Sequence, residues 1–310
     1  MKNSTIIKVP SKTFLVGEYL AVVGGPAVLL ATEPEFLVSA VEQDSISLNS
    51  GWPKRAGEAV AFERVDEQSA KGPLARLFQR VNTKLAGEQK PSLSFWIQDP
   101  HRKRGGFGRS GAEFLALCHF ARELNGKDQA PARLLDLFRS CGGQGSGADL
   151  VAQALGGITA FESQVGESRT LASQWPFPLL EISIFRTGVK VSNHDGLDEP
   201  SDLVSARAIV VRTIRAITAV NERDLVQSVS DYRNWMLAQN VEHRATTELL
   251  DLFQKDSRWL AAKGCGALGA DVILGLNRPE NRESLEGFLG LERVCVVATG
   301  QSLVPGVLSQ

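Results

Sequence analysis

Cysteine is scarce in this 310-residue chain, and its four copies, Cys118, Cys141, Cys265 and Cys295, lie far apart. There is no CxxC pair and no Cys/His cluster with zinc spacing, which excludes a structural zinc module. The four thiols read as reduced, small hydrophobes of a reducing cytoplasm. Long apolar runs are missing as well, since none approaches the ~20 residues of a membrane span. The opening "MKNSTIIKVPSKTFLVGEYL" interrupts its apolar residues with Lys8, Pro10, Lys12 and Glu18, so no secretory leader is expected. Charge of one sign is not in excess: 34 Lys and Arg stand against 35 Asp and Glu, a formal net of -1. That balance predicts no general attraction to nucleic acid or to an anionic membrane, so any basic site must be local. Internal repeats, low-complexity tracts and disordered tails are also absent from the pattern. A soluble, intracellular protein is expected.

The composition is that of a globular chain, 43% apolar and 22% charged, long enough for one large domain or two ordinary ones. The first forty residues read as strands and turns, including "KTFLVGEYLAVV". The polar stretch 51–72 reads as an exposed hairpin or loop. "PLARLFQRVNTKLAG" reads as a helix begun by Pro73 and ended by Gly87, and "SLSFWIQD" as a half-buried strand. A helix with Ser110 as a reasonable N-cap runs from there to Asn125-Gly126, and Pro131 opens another. A short helix "LVAQAL" and strands "ITAFES" and "LLEISIFRTG" follow. Three helical stretches are expected at 201–221, 224–240 and 241–262, then a strand "VILGL", a helix near "NRESLEGFLG" and a last strand "RVCVVAT".

Three glycine-rich loops punctuate this order: "KVPSKTFLVGEYLAVVGGPAVLLA", "KRGGFGRSGAEFLAL" with "GQGSGADLVAQALGGITAF" behind it, and "KGCGALGADVILGL". Each alone reads most simply as a turn. A glycine turn that opens a helix is also a cradle for phosphate, because its N–H groups converge where the helix dipole favours an anion. Taken together, in this order and spacing, the three loops resemble the GHMP kinase superfamily. The first matches its Pro-x-Lys-x-x-x-x-Gly-Glu core. The second stands at its phosphate loop, and the third at its Gly-Ala-Gly-Gly-Gly loop behind a lysine. Tyr19, "GGFGRSGA", the Gly-Ser-Gly-x-Asp stretch and Asp271 lean towards the mevalonate-pathway branch.

The resemblance implies an α+β, two-lobed fold. Residues 1–165 would form a lobe like domain 2 of ribosomal protein S5, and 166–310 a ferredoxin-like lobe. It implies an ATP- and Mg²⁺-dependent kinase whose acceptor is phosphomevalonate, with mevalonate second. Asp149 would take or orient the proton of the acceptor hydroxyl, with Lys12 across the site. Gly105, Gly106, Gly108, Arg109, Ser110 and Gly111 would hold the phosphates, the Ser110 hydroxyl also serving Mg²⁺. Glu18, Ser146, Gly147, Lys190, Ser192, Gly266 and Ala267 would lie on the acceptor side. The partner would be a small molecule, and the chain a monomer or homodimer. Asp149 also reads as an ordinary helix cap, Lys12 as a solvated strand lysine, and Glu18 as a support for Lys12 or the loop, or as a surface charge. The run His101-Arg102-Lys103-Arg104 reads as a solvated basic turn or as an attractor of phosphorylated ligands.

The pattern also departs from the superfamily. Arg109 stands where a serine is usual, Leu268 and Ala270 replace glycines, and Cys265 replaces Ser or Thr. Three readings of Arg109 are open: a phosphate contact, a plug in the nucleotide site, or an i, i+4 partner of Glu113. The rival functions are a kinase of another small alcohol and a catalytically degenerate ligand-binding protein.

Overall fold

Strand β1 (Ile6–Val16) and strand β2 (Pro26–Ala40) form a long antiparallel hairpin in the computed structural model, which describes residues 6–40, 62–101, 106–121, 123, 130–164, 166–186, 200–266, 269, 272–284 and 295–309. Their pairing slips in the middle, for Val9 faces Phe36 but Ser11 faces Thr32. Each strand carries a proline in the gap, Pro10 and Pro34, and neither has an N–H to give to a ladder. Past this bulge Lys12 pairs with Ala31. The turn of the hairpin is not the strand continuation expected for "GEYLAVV". It is a short helix, α1 (Glu18–Val22), entered through Gly17 at φ 95°. A Cβ on Gly17 would lie 2.6 Å from the Ala27 Cα, so the break in the strand requires glycine.

Strand β3 (Phe62–Val65) is an edge strand within the stretch expected to be a loop or hairpin. Helix α2 (Gly72–Gly87) has Pro73 in its first turn, and strand β4 (Phe95–Gln98) follows, both as expected. Then come α3 (Arg109–Phe120), α4 (Ala130–Ser140), α5 (Ala148–Leu155), β5 (Ile158–Glu162) and β6 (Glu167–Ala172). The stop expected for α3 at Asn125-Gly126 lies outside the described residues. The first sheet runs β3-β4-β2-β5-β6, with β1 also paired to β2. Helix α5 packs on β1 and β2, and α3 packs on β1 and α5.

The second sheet is built from β7 (Glu181–Arg186), β8 (Trp259–Cys265), β9 (Val272–Asn277) and β10 (Cys295–Thr299), in the order β10-β7-β9-β8. All its pairings are antiparallel, and its first strand lies between the third and fourth, the ferredoxin-like order. Helices α6 (Leu203–Thr218), α7 (Glu222–Ala238) and α8 (Arg244–Gln254) connect β7 to β8. Asp202 and Asn221 cap the first two by accepting the N–H of Ser205 and Asp224, each contributing about 1 kcal/mol. The helix expected over 241–262 is corrected: it ends at Gln254, and Trp259 begins β8. The helix formers Leu260 to Lys263 are strand because β9 supplies a ladder for them, and tertiary pairing outweighs local propensity.

One apolar core spans both sheets, from Val9, Phe36 and Phe78 to Tyr232, Met236 and Leu274. The C-terminal segment returns to the first sheet through bridges Thr32–Leu303 and Gly156–Pro305. Among the described residues no helix is long and apolar enough to cross a membrane.

Candidate active site

The described residues line a cavity of about 1290 Å³. Its walls collect residues from across the chain: Lys12 and Phe14 from β1, Glu18 and Tyr19 from α1, Glu63 and Arg64 from β3, Arg109 to Gly111 from α3, and Asp149 from α5. Ser146, Gly147 and Gly266 complete the set of sequence-predicted residues that line it. Gly105, Lys190, Ser192 and Ala267 lie outside the described residues, as do Arg102 to Arg104, Leu268, Ala270 and Asp271. Lys12 and Asp149 share the cavity with no ion pair between them, and the Lys12 ammonium lies 4.9 Å from the centre of the Phe14 ring.

Two helices point their N-terminal ends at this space. Ser110 is not the cap of α3: Gly108 is, at φ 89°, and Ser110 is the second helical residue, exposed. Gly106, just ahead, also has positive φ, 94°. Gly108 offers no side-chain cap to the first N–H groups of α3, so those donors and the positive end of the helix face the cavity uncapped. Asp149 is likewise not a cap. Gly147 holds that position on α5, at φ 71°, and Asp149 sits in the first turn, half-buried at the cavity wall. The Ser146 hydroxyl is occupied in accepting the Ala148 N–H at 3.2 Å.

Of the three readings of Arg109, the structure shows the pairing with Glu113 and adds two further carboxylates. Its Nε donates to Glu113 at 2.9 Å, its Nη1 to Asp99 at 3.2 Å and its Nη2 to Glu63 at 2.7 Å. Every nitrogen of the guanidinium is thereby engaged, and Arg109 ties the start of α3 to β3 and to the end of β4. Burial alone would lower its pKa, but the bonds to Glu63 and Glu113 outweigh that and raise it. Burial also raises Glu113, with Arg109 opposing.

Glu18 is neither a surface charge nor a support for Lys12. It is buried and accepts from Lys263 Nζ at 2.8 Å, joining α1 to β8. Lys263 is fully buried, and its Nζ also lies 3.4 Å from Cys265 Sγ and 5.4 Å from the Tyr232 ring centre. Burial opposes the Lys263 charge, but Cys265 and Glu18 together raise its pKa, while burial pushes the Cys265 thiol up to about 11. His101 leaves the basic run in which the sequence placed it. Only 2% exposed, it stacks on Phe107 with ring centres 3.8 Å apart. Burial lowers its pKa to about 4, with Asp99 opposing and Arg186 assisting, which favours the neutral ring. Residues the sequence reading passed over include Glu63, Arg64, Lys71 and Arg76 along the cavity and Lys263 beneath it. Only the place of Lys263 ahead of the third glycine loop gave a signal.

No family model matches the chain, and no curated protein matches it in sequence. Solved structures do. A Lin0012 protein from Listeria innocua superposes with a TM-score of 0.72 at 19% identity, covering 96% of this chain and 97% of that one. The Methanococcus jannaschii mevalonate kinase gives 0.68 at 16%, covering 96% and 98%. The Streptococcus pneumoniae phosphomevalonate kinase, in complex with phosphomevalonate and AMPPNP, gives 0.71 at 15%, covering 95% and 99%. This chain has the GHMP kinase fold. Within it, one cavity gathers Lys12, Asp149 and the open end of α3.

Proposed function

We propose that the protein is an ATP-dependent small-molecule kinase of the GHMP type, with phosphomevalonate as acceptor and mevalonate as the next candidate. One observation carries the reading: α3 opens, without a side-chain cap, onto a cavity that Lys12 and Asp149 both line. Phosphoryl transfer asks a protein mainly to hold phosphate, balance its charge and aim a hydroxyl. The N–H groups at the start of α3 bind phosphate oxygens, and Lys12 offsets their charge. Asp149 orients the acceptor hydroxyl and takes its proton. The nucleotide fits this chain, because α3 starts without a side-chain cap and the loop ahead of it is glycine-rich. Among the described residues no group of three or more His, Cys, Asp or Glu makes a metal site. Magnesium would therefore arrive on the nucleotide phosphates, with the Ser110 hydroxyl as its protein contact, and would neutralise the charge on the transferred group. The neighbour that binds phosphomevalonate and AMPPNP supports both the donor and the acceptor.

A second reading, a non-catalytic ligand-binding protein, draws on the Arg109 cluster. Three carboxylates surround one guanidinium beside the loop, an acidic surplus that disfavours a triphosphate. The test is phosphate transfer from ATP with Mg²⁺ to phosphomevalonate and to mevalonate, side by side, with Lys12→Met and Asp149→Asn as controls. Loss of the general base is expected to lower turnover by about 10²–10⁴-fold. Full turnover in Asp149→Asn would sink the mechanism; with no transfer to either alcohol, ATP binding would point to a kinase of another small alcohol and its absence to the binding-protein reading.

A further inference from the structure

Gln153 lies one helical turn beyond Asp149 on α5, on the same face. It is fully buried. Its amide nitrogen donates twice: to the Pro10 carbonyl at 2.7 Å and to the Gly108 carbonyl at 3.1 Å. Pro10 is the residue skipped by the β1–β2 ladder, two positions before Lys12. Gly108 is the left-handed cap from which α3 starts. A single amide group thus links the helix of Asp149, the bulge ahead of Lys12 and the loop ahead of the open helix end. We propose that Gln153 is a positioning residue for nucleotide binding, holding Gly108 and the first turn of α3 in the geometry that presents their N–H groups to phosphate. The proposal rests on the kinase reading above.

The orientation of the amide follows from its partners. A flipped amide would set an oxygen against two carbonyl oxygens, so Nε2 must face Pro10 and Gly108. Oε1 then faces α3, where it has no hydrogen-bond partner. The fit there is tight: a Cβ on Gly111 would lie 2.4 Å from Oε1, and one on Gly108 would lie 2.9 Å from Nε2 and 2.8 Å from the Lys12 Cγ. Two of the loop glycines are therefore glycines partly because this side chain occupies the space. A group that only filled the core would not need a polar amide with its oxygen left unsatisfied, which is costly when buried. A methionine of similar length would pack there without that cost, but would leave the Pro10 carbonyl and the loop untied.

Gln153→Met is the direct test. It is expected to fold and melt cooperatively, with KM for ATP raised about tenfold and KM for the acceptor little changed. Gly111→Ala is expected to weaken ATP binding as well, because its methyl meets Oε1. In the double variant Gly111→Ala/Gln153→Ala the methyl enters the vacated space, so ATP binding should be no weaker than in Gln153→Ala alone. A lowered melting temperature with KM for ATP unchanged, or strictly additive effects in the double variant, would overturn the proposal. Amide hydrogen exchange at Ala112, whose N–H donates to the Gly108 carbonyl at 3.0 Å, separates its failure from that of the kinase reading when read in the free protein. Exchange there should quicken in Gln153→Met relative to α7 even if no kinase activity is found, and unchanged exchange would reject the positioning role.

Discussion

Acid should destabilise this protein through His101, by an amount that the structure sets. The Ser11 hydroxyl lies 2.6 Å from the Pro34 carbonyl and 2.6 Å from His101 Nε2. The carbonyl can only accept, so Ser11 gives it its one proton, and Nε2 must carry the hydrogen that reaches the Ser11 oxygen. On the other side, Arg186 Nη2 stands 3.5 Å from Nδ1, an arrangement suited to a neutral, accepting nitrogen. Protonation would put a second cation against that guanidinium inside the core. Burial, with Arg186 assisting and Asp99 opposing, lowers the folded pKa from 6.5 to about 4. Between those values the unfolded chain holds a proton that the folded chain refuses, so stability is complete above pH 6.5 and is lost as pH falls towards 4. At about 1.4 kcal/mol per unit, the loss from this one group is about 3 kcal/mol. Urea denaturation at intervals from pH 7.5 to 4 measures it. His101→Gln keeps an N–H for Ser11 and removes the titration, so its stability should fall by about 3 kcal/mol less over the same range. If the two curves run parallel within about 0.5 kcal/mol, the burial argument for His101 is wrong.

The other perturbations concern the charged groups around the cavity. Lys263→Met leaves Glu18 buried without its partner and should cost about 3–5 kcal/mol in chemical denaturation, while adding Glu18→Leu should restore much of the loss. Arg109→Ser removes the group that reconciles Glu63, Asp99 and Glu113. It should cost about 1–3 kcal/mol and should not strengthen ATP binding, measured by titration. Tighter binding in that variant would mean that the guanidinium plugs the nucleotide site.

Several features of this protein are local and could be read from the chain alone. Pro73 and Gly87 bound α2 because fixed φ and missing side chains act within a residue or two of themselves. The alternation of "SLSFWIQD" and the glycine turns before α3 and α5 act over the same short range, and Lys12 and Asp149 reach the cavity that those turns announced. Local rules were less able to fix the helix starts. Ser110 and Asp149 have good capping side chains, yet Gly108 and Gly147 take the caps, because the chain enters both helices at positive φ, 89° and 71°, which favours glycine.

Choice among distant partners belonged to the tertiary structure. Glu113, four residues from Arg109, was legible as its partner, whereas Glu63, 46 residues away, was brought in by the β3–β4 pairing. His101 sits beside a basic run in sequence, but β1 and Phe107 bury it, and burial decides its charge. Residues 259–265 carry helix-forming composition and are strand only because β9 lies alongside. Glu18 and Lys263 are 245 residues apart. Nothing in either neighbourhood predicts a buried ion pair, because the free energy that holds one arises only when folding removes both charges from water together.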